Sequence, residues 1–237
     1  MKKIALAALV AAAFAPSLAF AEAGDIVVRL RATHVSPDES SKLGEQTNAA
    51  YGANTANVLY GSNSAQLEVG SNTIPELDFS YYITKNIAAE LILALGTSHD
   101  VNVSGSGSAV ALNHALGSVN LLPPTLTAQW HFLPDSTFDP YVGAGLGYVR
   151  SLNRNLTAQT SLGNFRIEID RNMIAPVVQA GFDINLQDKW LVNFDVKKLW
   201  FNTDVKLNAP VLKAGFQKID DLDIDPWVIS VGFGKKF

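Results

Sequence analysis

The chain has no cysteine among its 237 residues, so neither a disulfide framework nor a thiolate metal site can form. It has no block of lysine and arginine, and its net charge is -4, which leaves little to attract a nucleic acid. Its four histidines, His34, His99, His114 and His131, are scattered without ligand spacing, so neither a metal nor a cofactor is expected. Beyond residue 21 it has no run of eighteen apolar residues, so no helix would hold it in a bilayer. The mean hydropathy of +0.13 is also too low for a helical membrane protein.

The N-terminal stretch "MKKIALAALVAAAFAPSLAFA" holds two lysines, an apolar run over 4–15, the helix-breaking Pro16 and the small-x-small site Ala19-Phe20-Ala21. It reads as a secretory signal peptide over 1–21, with a mature domain over 22–237 that starts at Glu22. Loss of Lys2 and Lys3 leaves 16 basic and 22 acidic residues, a mature charge of -6. An exported chain without a spanning helix is either soluble outside the cytoplasm or a membrane β-barrel.

Eight segments alternate with period two, the mark of half-buried strands. In "DIVVRLRATHVS", Ile26, Val28, Leu30 and Ala32 oppose Arg29, Arg31 and Thr33. Similar alternation runs through "PELDFSYYITKN", "IAAELILALG", "LLPPTLTAQWHF", "DPYVGAGLGYV", "NMIAPVVQAGFDI", "KWLVNFDVKKLWF" and the closing "DPWVISVGFGKKF". Three connections are short: "TKN", "LPDST" and "NLQD". The others are long, over 37–71, 97–117, 151–170 and 207–223. An even strand count with short turns at one end and long loops at the other describes an antiparallel transmembrane barrel of the outer membrane.

A soluble sandwich or lipocalin-like barrel would turn the apolar face inward. Two features weigh against it. Trp130, Phe132 and Trp190 lie near short turns, whereas Tyr148 and Trp200 lie toward long loops, so the aromatics form two girdles. Trp190 and Trp200, at ~3.3 Å per residue and a tilt of ~40°, span roughly 25 Å along the membrane normal, the height of an apolar band. The opposite face carries Arg29, Arg31, Glu76, Asp78, Glu90, Asp183, Asp195 and Lys197, which inside a barrel must pair. Leu91, Leu93, Val142, Leu146, Phe194, Ile229 and Val231 are expected to face lipid. A closed barrel has no free edge, which explains why the chain ends on an alternating strand with Phe237 as its last residue. Lys235 departs from that pattern on the outward face.

The segments "GDIVVRLRATHVSPDES" (24–40), "LPPTLTAQWHF" (122–132), "FDPYVGAGLGY" (138–148), "WLVNFDVKKLWFNTDVK" (190–206) and "DPWVISVGFGKKF" (225–237) together resemble the outer membrane protein W (OmpW) family. The resemblance covers nearly all of the mature chain. It implies an eight-stranded monomeric barrel with a narrow hydrophobic channel for small apolar molecules across the outer membrane. It also implies a terminal Phe237 read by the barrel assembly machinery. The expected partners are outer-membrane lipid, small hydrophobic molecules and that machinery. The alternatives are a structural, stress-adaptation or adhesion barrel, and a lipid-modifying barrel enzyme.

Several residues stand out as candidates. Leu121, Met173, Leu199 and Phe201, with Val177 and Leu191, are apolar on the inward face. They read either as a hydrophobic gorge in the outer half or as ordinary filling of a small barrel. Pro123 and Pro124 read either as a break in the wall through which a ligand leaves sideways, or as the end of the paired region. Pro176 is a weaker case of the same kind. Arg29, Arg31, Glu90, Asp195 and Lys197 are the lumen charges expected to pair. Gly143, Gly145 and Gly147 lack the ending of a phosphate loop and make room for lumen side chains. No catalytic residues are expected, because the Ser/His/acid candidates lie at opposite ends. The Ser- and Asn-rich stretch over 40–72 is either disordered or a short flap. Asp220, Asp221, Asp223 and Asp225 read as a solvated acidic rim.

Overall fold

The computed structural model describes residues 22–94, 96–105 and 115–237. Residues 1–21, read above as a signal peptide, lie outside them, as do Leu95 and His114. The strands in chain order are β1 (Ile26–Ser36), β2 (Gln66–Val69), β3 (Asn72–Tyr82), β4 (Ile87–Ala94), β5 (Thr97–Ser104), β6 (Ala115–Leu122), β7 (Thr125–His131) and β8 (Phe138–Asn153). They continue with β9 (Asn155–Thr160), β10 (Gly163–Ile169), β11 (Asn172–Asn185), β12 (Trp190–Leu199), β13 (Asn202–Asn208), β14 (Phe216–Asp223) and β15 (Trp227–Lys236). Two helices, α1 (Leu43–Tyr51) and α2 (Thr55–Tyr60), lie between β1 and β2.

Eight strands close the barrel in the order β1, β3, β4, β7, β8, β11, β12, β15, each antiparallel to the next. The closing ladder joins β1 to β15 from Val27↔Lys236 to Ser36↔Trp227. It continues to the last residue: the Phe237 amide donates to the Ile26 carbonyl at 2.8 Å, and the Ile26 amide to the Phe237 carbonyl at 3.3 Å. The chain end is thus part of the wall, and no edge is left in the membrane-spanning region.

The alternation sets the two faces. Leu91, Leu93, Val142, Leu146, Ile229 and Val231 are exposed on the outside, while Arg29, Arg31, Glu90, Asp195 and Lys197 are buried inside. Phe194 also lies on the outer face, half-buried, with the Phe182 ring stacked on it at 5.5 Å. Trp130, Phe132 and Trp190 are exposed at the short-turn end, and Tyr148, Trp200 and Trp227 toward the other. Lys235 lies over the Trp190 ring at 5.1 Å, a cation–π contact that suits a lysine at the membrane interface.

The long connections depart from the expectation of loops. The 97–117 connection contains β5 and starts β6, which pair with each other, and β2 pairs with β5. The hairpins β9–β10 and β13–β14 join into a separate four-stranded sheet. The 40–72 stretch, expected as disordered or a short flap, carries both helices and β2. These pieces share an apolar core above the membrane, where Leu43, Leu59 and Tyr60 of the helices meet Leu156, Phe165, Ile167, Leu207 and Ile219. The short strands alternate too, but their outward residues are mostly polar, as with Ser98, Asp100 and Asn102 of β5 and Asn202, Asp204 and Lys206 of β13.

The acidic cluster is corrected in part. Asp220 is fully buried and accepts from the Lys42 amide at 2.9 Å and from the Ser41 hydroxyl, so it ties the start of α1 to β14. Asp225 caps the Phe201 amide at 2.9 Å. Asp221 and Asp223 remain exposed.

Candidate functional site

Walking outward along each barrel strand, the inward side chains change character at one level. On β1 the series is Arg29, Arg31, Thr33, Val35, and on β12 it is Asp195, Lys197, Leu199, followed by Phe201. On β4 it is Glu90, Ile92, Ala94, and on β11 it is Gln179, Val177, Ala175, Met173. Charge and amides fill the lower lumen, and apolar groups line the upper.

The lower layer is a connected network. Arg29 donates to Asp78 at 2.9 Å, to the Ser80 hydroxyl at 2.6 Å and to Asp183 at 2.6 Å. Arg31 reaches Glu76 at 2.5 Å, Asp78 at 2.9 Å and Glu90 at 3.3 Å. Glu90 also accepts from Thr127 at 2.8 Å and from Gln179 at 2.9 Å. Asp195 accepts from the Tyr141 hydroxyl at 2.9 Å and pairs with Lys197. These groups are almost wholly buried, where an unmatched charge would cost several kcal/mol. The last strand makes space for the two arginines. A Cβ on Gly234 would come within 2.7 Å of the Arg29 side chain, and one on Gly232 within 2.9 Å of that of Arg31. The backbone of β1 is closer still, with the Leu30 carbonyl 2.1 Å from a Cβ on Gly232, so the glycines of "VGFG" let β1 and its arginine stems lie against the last strand.

Nearer the short-turn end, His131 bonds Asp139 at 2.8 Å and lies within 3.3 Å of the Tyr82 hydroxyl and of Gln129. Its partners include no serine, so it does not complete a nucleophile–base pair. Among the described residues no group of three His, Asp or Glu side chains could hold a metal.

Above the charged layer lies a cavity of about 90 Å³. Leu121, Met173, Leu199 and Phe201 all lie on its wall, and Pro123 borders it. Its floor carries Lys197, Glu76, Thr33 and Thr125. Its roof is made by the outer strands, with Leu67, Val205 and Leu222. Leu191 does not join this set. It sits at the opposite end of the lumen with Val27, Tyr82 and Ala88, because alternation assigns a face and not a depth.

The wall beside the cavity is interrupted on one side. The β4–β7 ladder ends at Ile92↔Thr125, and the β5–β6 ladder resumes only at Thr97↔Leu121. Pro123 and Pro124 lie in the gap and have no amide hydrogen to donate. On the other side the contact with β8 persists, since the Tyr148 amide donates to the Pro124 carbonyl at 2.9 Å. Gly96, at φ +87°, turns the facing strand at the same level. Gly96 was not singled out in the sequence, although a glycine closing an apolar strand run is a signal for such a kink. At Pro176 the β8–β11 ladder runs on unbroken, whereas the β11–β12 ladder stops beside it, at Val177↔Leu199.

The chain matches the OmpW family over residues 22–237. It is 32% identical over 236 residues to outer membrane protein W of Vibrio cholerae, covering 98% of this chain and 97% of that one. The crystal structure of the outer membrane protein OprG from Pseudomonas aeruginosa superposes with a TM-score of 0.73 at 30% identity, over 91% of this chain and 97% of that one. A dibenzothiophene metabolism operon protein of Pseudomonas aeruginosa, PahQ, is 25% identical over 162 residues, 68% of this chain and 69% of that one. These likenesses place the chain in the outer membrane as a barrel. With the closed eight-stranded wall and the charged lumen, they show that the chain belongs to the OmpW family.

Proposed function

We propose that the barrel passes small apolar molecules from outside the cell into the outer membrane by lateral release. The observation that carries this reading is the apolar cavity that ends on a charged floor beside a gap in the wall. An apolar solute that reaches the cavity cannot continue straight down. Crossing the layer of Arg29, Arg31, Glu90, Asp195 and Lys197 would separate buried ion pairs and offer them no hydrogen bonds in return. The gap at Pro123 and Pro124 is the cheaper way out, because no β4–β7 hydrogen bonds need to break there. The name of the PahQ relative, which ties it to metabolism of an apolar aromatic compound, agrees with such a solute.

The test is transfer of an apolar fluorescent probe by the protein in liposomes. Leu199→Trp narrows the cavity and is expected to reduce both binding and transfer. Pro123→Val with Pro124→Val allows the ladder to close and is expected to slow release while binding persists. Unchanged transfer in both folded variants would leave the barrel with a structural role only.

A further inference from the structure

We infer that the floor of the cavity is a head-group site. Lys197 there selects molecules whose apolar body ends in one uncharged oxygen, an alcohol or a carbonyl, over plain hydrocarbons and over carboxylates. The inference rests on the uptake reading and names the substrate class of the same cavity.

Of the layer's three cations, Lys197 alone lines the cavity. Arg29 and Arg31 lie below it, each spread over at least two carboxylates. The Lys197 ammonium carries three N–H donors. Its one hydrogen bond goes to Asp195, whose other oxygen is held by Tyr141. A buried ammonium with donors to spare favours an oxygen acceptor, and of the oxygens on the cavity floor the Glu76 carboxylate is held by Arg31. The nearby hydroxyls bond elsewhere and not to Lys197: Thr33 with Ser230 at 2.9 Å, and Thr125 donating to the Pro123 carbonyl at 3.1 Å.

The sign of the head group follows from the layer as a whole. Glu76, Asp78, Glu90, Asp183 and Asp195 supply five negative charges against the positive charges of Arg29, Arg31 and Lys197. A carboxylate head would add to that surplus and compete with Asp195 for the same ammonium. An ammonium head would meet Lys197 itself. A neutral oxygen accepts a charge-assisted hydrogen bond without either cost. The cavity of about 90 Å³ then holds the apolar body against Leu121, Met173, Leu199 and Phe201.

The test uses the full barrel in lipid nanodiscs, titrated with 1-octanol, n-octane, octanoate and octylammonium, with binding read from methyl chemical shifts. The double variant Asp195→Asn, Lys197→Met removes the pair together, which a barrel tolerates better than the loss of one partner. The octanol-to-octane affinity ratio is expected to fall about tenfold in it, the worth of one hydrogen bond to a charged donor. The wild type is expected to bind octanol more tightly than octanoate or octylammonium. Leu199→Trp is expected to abolish binding of octane and octanol alike. An unchanged ratio in the double variant, or a preference for octanoate, overturns the head-group site while octane binding keeps the uptake reading intact. If no probe binds the wild type, both fall together.

Discussion

The two halves of the lumen follow the same alternation, yet their interiors are opposite. In the lower half the inward side chains are Arg29, Arg31, Asp78, Glu90, Asp183 and Asp195, tied into one network. In the upper half they are Leu121, Met173, Leu199 and Phe201 around a cavity. Buried polar groups need partners, so the lower half is a polar plug knit from ion pairs and hydrogen bonds. Apolar groups carry no such demand. A void of about 90 Å³ among them costs on the order of 2 kcal/mol, which a barrel can sustain. The contrast places rigidity where the wall is continuous and free space where the wall is interrupted.

The largest effect is expected from breaking the lower half. Arg31→Met removes the guanidinium that faces Glu76, Asp78 and Glu90 and leaves these carboxylates short of a cation. Loss of one partner from a buried ion cluster costs roughly 3–5 kcal/mol. Urea unfolding of the barrel in lipid vesicles should show that loss. A change below about 1 kcal/mol would mean the plug does not hold the lower barrel together.

The outer face offers the next step down. Leu91 points to lipid from β4, one residue past the lumen carboxylate of Glu90. Leu91→Arg puts a charge into the apolar band and should cost ~2–4 kcal/mol. The same vesicle unfolding measures it. If Leu91→Arg proved harmless, the inside–outside register of β4 would be wrong, and the assignment of Glu90 to the plug with it.

The barrel was legible because lipid on one side and a narrow lumen on the other enforce period two over seven to sixteen residues per strand. The pairing charges and the role of Phe237 in the ladder followed from that period. Depth did not follow. Leu191 and Leu199 share a face of β12, yet one sits at the short-turn end and the other on the cavity wall. The outer cap was also missed. In "LGEQTNAAY" only Leu43, Gly44 and Thr47 are buried, too weak a stripe to announce a helix. Asp220 looked like part of a solvated cluster because its partner, Ser41, is 179 residues away in sequence.

The smallest expected effect concerns that outer cap, which has to move if the cavity is filled from above. Its latch is Asp220. Besides Ser41 and the Lys42 amide, the Asp221 amide donates to it at 2.9 Å, and Ser41 in turn accepts from the Leu67 amide at 2.8 Å. Burial holds the Asp220 carboxyl above the usual carboxylate range, outweighing these hydrogen bonds. The closed cap therefore prefers the protonated form. Its contribution is fully present below the ordinary carboxylate pKa of about 4 and is lost as pH rises through the raised value. Asp204, held below the ordinary range chiefly by its hydrogen bond to Lys218, contributes with the opposite sign. Comparison with Asp220→Asn isolates the latch, since Asp204 is the same in both. The variant keeps an oxygen for the Lys42 amide and should change cap stability by less than about 1 kcal/mol. Hydrogen exchange at the Leu43 and Leu67 amides, corrected for intrinsic rates, is the measurement. The wild type should open more readily at pH 7 than at pH 4, and the variant should lose most of that slope. Identical slopes in the two proteins would remove Asp220 from the latch and leave the apolar core of the cap as what keeps it closed.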